Sequence, residues 1–185
     1  MAVRIGIDAD GGQAPGILKL ERLSQAGFSD FGDVIETQGR EFHLINGGKA
    51  RRYHGQATVE LAGGSGLAGI TLVGVDAHAS TFPLCIKMLE RHPLSSQSWI
   101  PRNQVPFVIV VAPNGADGLP DETRLRAFFA EGNQGINYRT GVWHHPLLTV
   151  GNAGEFVVVD RMGDILNCDE RILKRTYLVD ASFGD

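Results

Sequence analysis

The sequence has only two cysteines in 185 residues, Cys85 and Cys168. They lie too far apart for a C-x-x-C metal knuckle, and two thiols cannot supply a disulfide-stapled scaffold. Both read as reduced, which fits a cytoplasmic protein, with Cys85 placed in a wall strand. An excess of base is missing too: 17 Lys and Arg face 21 Asp and Glu, for a net charge of −4. That excludes a sequence-independent grip on nucleic acid, and small anionic ligands must be held by local groups. No apolar run approaches the ~20 residues that cross a bilayer, so no membrane partner is expected. Residues 1–16 have no continuous apolar segment of the signal-peptide kind and read as a flexible leader. No repeat of fixed period and no linker divides the remainder, so residues 17–185 read as one catalytic domain.

What is abundant is glycine. Twenty-four glycines are spread between short apolar runs, which predicts many tight turns joining short strands. Strands are expected over residues 17–23, 41–45, 58–61, 68–75, 81–92, 105–112 and 123–130. Residues 147–150 and 155–160 read as a hairpin around Gly151-Asn152-Ala153-Gly154. Ser24 caps one short helical turn, and Phe28 and Phe31 staple it to the body. Residues 105–112 are Val/Ile-rich without alternation and are expected to be buried on both faces, against a second subunit. Residues after Cys168 read as a short strand or tail without chemistry. The fold class that follows is all-β: an antiparallel barrel or double-stranded jelly roll with few short helical turns.

Chemistry concentrates in Met88-Leu89-Glu90-Arg91-His92-Pro93 and the residues after it. On an extended chain Met88, Glu90 and His92 share a face, while Leu89 and Arg91 take the other. Pro93 ends the strand, and the chain then turns so that Gln97 re-enters beside His92. An inward carboxylate is costly unless paired or functional. The bland role for Glu90 is therefore an ion pair with Arg124 or Arg126. Lys87 has the wrong parity unless a bulge intervenes. Further on, Gly135 to Leu147 contains Tyr138, whose hydroxyl can reach a cavity, and His144-His145, of which only one can face inward. Arg52 and His54 lie on a predicted loop over the mouth, and Arg161 is expected to pair with an acid near the rim.

These two stretches resemble the paired motifs of cupin barrels, with Glu90 and Gln97 standing where that pattern has a histidine and a glutamate, and with His144 as the second-motif histidine. A more specific resemblance covers residues 18–168. ERHPLSSQ, GINYRTGVWHHPL, FGDVIETQGREFHLING, the Arg52-Tyr53-His54 group and FVVVDR are similar, in the same order, to segments of the ureidoglycolate lyase family. The family pattern has acids where this chain has Arg51 and Gly55.

The resemblance implies a cupin fold and a carbon–nitrogen lyase of allantoin and purine breakdown that cleaves (S)-ureidoglycolate to glyoxylate and urea. Glu90, His92 and His144 are the expected catalytic residues: His92 or Glu90 as base and His144 as donor to the leaving nitrogen, the exchanged assignment being equally compatible with the sequence. Gln97, Arg52, Tyr138 and Lys87 are expected to bind substrate. No cofactor is expected to be required. If a divalent metal (Mn, Ni, Fe or Zn) is bound, its ligands would be Glu90, His92, Gln97 and His144. Two other readings use the same residues: a metal-dependent cupin isomerase or dioxygenase, and a non-catalytic carboxylate-binding cupin sensor. A homodimer in the cytoplasm is expected.

Overall fold

A computed structural model describes residues 14–64, 66–76 and 81–184. Of the expected leader, residues 1–13 lie outside the described part, and Gly16 already opens the first strand. In chain order the strands are β1 (Gly16–Arg22), β2 (Gly32–Ile35), β3 (His43–Ile45), β4 (Ala50–Arg52), β5 (Leu67–Val75), β6 (Leu84–Arg91) and β7 (Gln97–Pro101). They continue with β8 (Phe107–Ala112), β9 (Arg126–Ala130), β10 (Gly135–Tyr138), β11 (Trp143–His144), β12 (Leu148–Thr149), β13 (Gly154–Met162) and β14 (Asp169–Phe183). One short helix, α1 (Gln25–Phe28), begins at Ser24, whose hydroxyl accepts from the Gly27 amide. Satisfying that otherwise orphaned donor is what a serine does at this position.

Two layers result. In the larger sheet the order β11-β6-β14-β1-β9-β8 closes on itself because β11 pairs with both β6 and β8. The second sheet runs β2-β10-β7-β13-β5, and β3 and β4 form a separate hairpin. Neighbours are antiparallel except for β1, which runs parallel to both β14 and β9. Strand β8 shows why the layers stack. Val108, Val110 and Ala112 fill the closed barrel with Leu84, Ile86, Leu89, Trp143 and Tyr177. Phe107, Ile109 and Val111 point the other way, into a second core with Phe28, Phe128, Ile136, Tyr138 and Phe156. All of β8 is therefore buried within the chain itself, and the second subunit expected to cover it is not needed.

Several expectations need correction. Residues 58–61 form no strand beyond a single bridge from Leu61 to Ser95. Strand β9 starts only at Arg126, after a 3-10 turn at Glu122–Arg124 whose cap is Asp121. The expected hairpin does not form, since β12 pairs with β8 while β13 pairs with β5 and β7. The largest difference is β14, a 15-residue strand that joins β6 to β1. Its exposed positions and charged residues conceal it in the sequence, because an outward-facing strand has only a thin apolar signal. Arg161 is buried, and its Nη1 donates to the Ile165 carbonyl at 3.4 Å. No acid pairs with it among the described residues.

Candidate active site between the layers

The ladder of β6 with β14 slips between Met88 and Ile86, where β14 holds extra residues between Ile172 and Tyr177. A bulge of this kind reverses which face a strand presents. Leu84 and Ile86 point into the barrel, and after the slip Leu89 does so instead. Glu90 and His92 are thereby turned toward the second sheet. Across the ladder His144 is the partner of Glu90. Trp143 beside it fills the barrel, so His144 shares the outward face. From the second sheet Tyr138 and Gln97, direct cross-strand neighbours, face back.

Four groups meet. His144 Nε2 lies 3.6 Å from Glu90 Oε1. The His92 and His144 rings are 5.3 Å apart, and Tyr138 stacks on His144 at 4.1 Å with planes 14° apart. His92 Nδ1 sits 2.6 Å from the Asn167 carbonyl, and His144 Nδ1 sits 2.9 Å from that of Val142. A carbonyl oxygen only accepts, so each Nδ1 carries a hydrogen, and on His144, which burial keeps neutral, Nε2 turns a lone pair inward. Both Nε2 atoms and the Tyr138 hydroxyl are buried without a hydrogen-bond partner. Unsatisfied polar atoms at this depth are rare in folded proteins and point to a ligand.

The electrostatics follow from the enclosure. Burial pushes the Glu90 carboxyl above the ordinary carboxylate range, against the pull of His92. Burial also pushes His144 down to about 3, so it is neutral at physiological pH. The Tyr138 hydroxyl is raised by burial and by the Glu90 charge and stays protonated. The buried cluster thus presents nitrogen and carboxylate acceptors with one phenolic donor.

The remaining expected residues are placed as follows. The Gln97 carbonyl oxygen accepts from Trp99 Nε1 at 2.8 Å and its amide nitrogen donates to Asp160 at 3.4 Å. One lone pair of its oxygen is thus taken by Trp99. Lys87 is exposed beside the bulge. Arg52 is exposed on β4 and lines a separate groove of about 610 Å³ with Ile35, Ile100 and Arg102. Neither is brought to the cavity. The ion-pair role for Glu90 falls as well, because Arg124 pairs with Asp121 and Arg126 with Glu21. Three neighbours of the cavity were not among the expected site residues: Asp160, Asn167, and Cys168, whose Sγ is 3.9 Å from Glu90 Oε2.

The family model for ureidoglycolate lyase matches residues 15–180. The chain belongs to the ureidoglycolate lyase family. A ureidoglycolate lyase of Stutzerimonas stutzeri is 50% identical over 153 residues, which is 83% of this chain and 88% of that one. One from Azotobacter vinelandii is 47% identical over 154 residues, 83% of this chain and 90% of that one. Among solved structures, a Bacillus subtilis oxalate decarboxylase chain aligns with a TM-score of 0.36 at 13% identity, covering 76% of this chain and 30% of that chain. The family assignment rests on the sequence matches, and Glu90, His92, Tyr138 and His144 lie within the matched residues.

Proposed function

We propose that this ureidoglycolate lyase family member cleaves (S)-ureidoglycolate to glyoxylate and urea by an elimination driven by proton transfer, with Glu90 at its centre. The substrate carries a hydroxyl, a carboxylate and a ureido nitrogen on one carbon. Removing the hydroxyl proton forms the aldehyde C=O as the C–N bond breaks, and the departing nitrogen gains a proton to become urea. The observation that carries this reading is the acceptor-rich cluster whose buried atoms have no hydrogen-bond partner, which suits a ligand rich in O–H and N–H donors. Glu90 takes the hydroxyl proton and returns it to nitrogen, its raised affinity for a proton suiting both halves of the transfer. His144, expected to be the proton donor, is buried and neutral with its Nε2 lone pair inward, so its role here is to accept and orient a substrate N–H or O–H. His92 presents the same atom. Tyr138, one of the expected substrate-binding residues, donates to the substrate carboxylate.

The donor set also fits a divalent cation: the ligand atoms of Glu90, His92 and His144 lie within 4.8 Å of one another, and each imidazole is fixed through Nδ1 in the manner of a metal-ligating histidine. When bound, such an ion would polarise the substrate hydroxyl and carboxylate. The proton-transfer reading needs only the chain's own residues. Incubation of purified protein with racemic ureidoglycolate after exhaustive chelation, with metal content measured alongside, tests it. Retained release of urea is expected; loss restored by added Mn, Ni, Fe or Zn overturns the metal-free assignment.

We also propose a cytoplasmic homodimer. Cys85 and Cys168 are free thiols, which suits a reducing compartment. The dimer surface shifts from β8 to β5, an edge strand of the second sheet with no charged residue, on which Leu67, Ile70 and Leu72 are 72%, 77% and 64% exposed. An uncharged, apolar edge of this length is self-complementary, and a two-fold axis pairs it with its own copy.

A further inference from the structure

We infer that Asn167 is the positioning residue that sets which nitrogen of His92 carries the hydrogen and which is left bare toward Glu90 and His144. It lies in the connection between β13 and β14, far in sequence from the residues it holds. Its backbone carbonyl accepts from His92 Nδ1 at 2.6 Å. Its side-chain oxygen accepts from the Leu94 amide at 2.7 Å, and its side-chain nitrogen donates to the Ser95 hydroxyl at 2.9 Å. All these bonds land on the segment directly after Glu90, which Pro93 prevents from continuing as a ladder. Ser95 is buried, so the side-chain bonds anchor in a fixed wall.

The consequence is chemical. A neutral imidazole carries one hydrogen, and the acceptor supplied to one nitrogen decides where it resides. With the Asn167 carbonyl clamped against Nδ1, the Nε2 lone pair of the neutral ring is directed into the buried cluster, where it has no hydrogen-bond partner. Without the two side-chain bonds the carbonyl is no longer held at that distance. The hydrogen then redistributes toward Nε2, and the ring presents a donor where the site needs an acceptor. Asn167 itself touches no reacting atom and acts only through His92.

The test replaces Asn167 by Ala in the full chain and reads the His92 ring by ¹⁵N NMR, assigned against His92→Gln. Wild-type His92 should show protonated Nδ1 and bare Nε2 at neutral pH, and N167A should move both signals toward the opposite tautomer. Because the kinetic arm rests on the proposed reaction, it is kept separate: kcat for urea release should fall ~10–100-fold, the usual cost of losing an outer-shell partner, with KM little changed. Asn167→Asp keeps an acceptor for the Leu94 amide and should recover part of both. An N167A imidazole signature identical to wild type overturns the inference, even if the melting temperature falls. If N167A does not fold, Ser95→Ala removes only the partner of the side-chain donor; a shifted imidazole signature there supports the inference, and an unshifted one overturns it. A wild-type protein that releases no urea defeats the proposed reaction while leaving the imidazole signature to decide the role of Asn167.

Discussion

Glu90 is a carboxylate held where its charge is poorly solvated, beside the His92 and His144 imidazoles. If it is the proton carrier, Glu90→Gln should lower kcat by ~10²–10⁴-fold, the usual worth of a general acid–base group. Its fold should be kept or slightly stabilised, since the amide removes a buried charge; urea release and thermal melting measure the two effects. The acid limb of the wild-type kcat/KM profile should lie above the ordinary carboxylate value of 4.5, because burial raises Glu90, and the limb should be absent from the variant. His144 gives a stability signature of opposite sense. Its folded value of about 3 lies below the ordinary imidazole value of 6.5, so the unfolded chain binds more protons between them, and stability present above pH 6.5 is lost as pH falls toward 3. Melting temperatures of His144→Gln should therefore fall less steeply over that range than those of wild type. Tyr138→Phe should raise KM ~10-fold or more, since a hydrogen bond to a charged group is worth ~1.5–3 kcal/mol. At this scale Glu90 and His92 were legible because inward polar residues interrupt an apolar alternation, while His144 was singled out by the resemblance to the second cupin motif. Asn167 and Asp160 were not, since a residue that works through its backbone or through a neighbour leaves no spacing to read.

Among the elements, the bulge in the β6–β14 ladder decides which side of the barrel receives the chemistry. The strand β6 is expected from its own residues, but its parity switch depends on extra residues in β14, a strand that reads as a tail in the sequence. Local pattern can show that Glu90 and His92 travel together; it cannot show which layer they face. Strand β2 supports Tyr138 from the far side. Gly32 pairs with Tyr138, and a Cβ added at Gly32 would collide with the Asn137 carbonyl oxygen. Gly32→Ala must therefore push β2 off β10, at ~1–3 kcal/mol or more. A fall in melting temperature of roughly 2–4 °C per kcal/mol is expected, with reduced kcat through displacement of Tyr138. Unchanged melting would mean the two strands yield without cost.

For the whole molecule, the all-β barrel followed from the supply of turns and short strands, while its strand order did not, because that order depends on long-range pairings such as the parallel β1 with β14. Oligomeric state belongs to this scale. Ile70→Lys with Leu72→Glu on β5 should convert a sedimenting dimer into a monomer, and a wild-type monomer at all concentrations would refute the assignment. The most direct measurement is the reaction itself: purified protein, racemic ureidoglycolate, and urea and glyoxylate followed together with Glu90→Gln as control. Equal release of both products by wild type, reduced by ~10²-fold or more in the variant, is the expected result. Undiminished release by Glu90→Gln, or no release by wild type, would contradict a proton shuttle at Glu90.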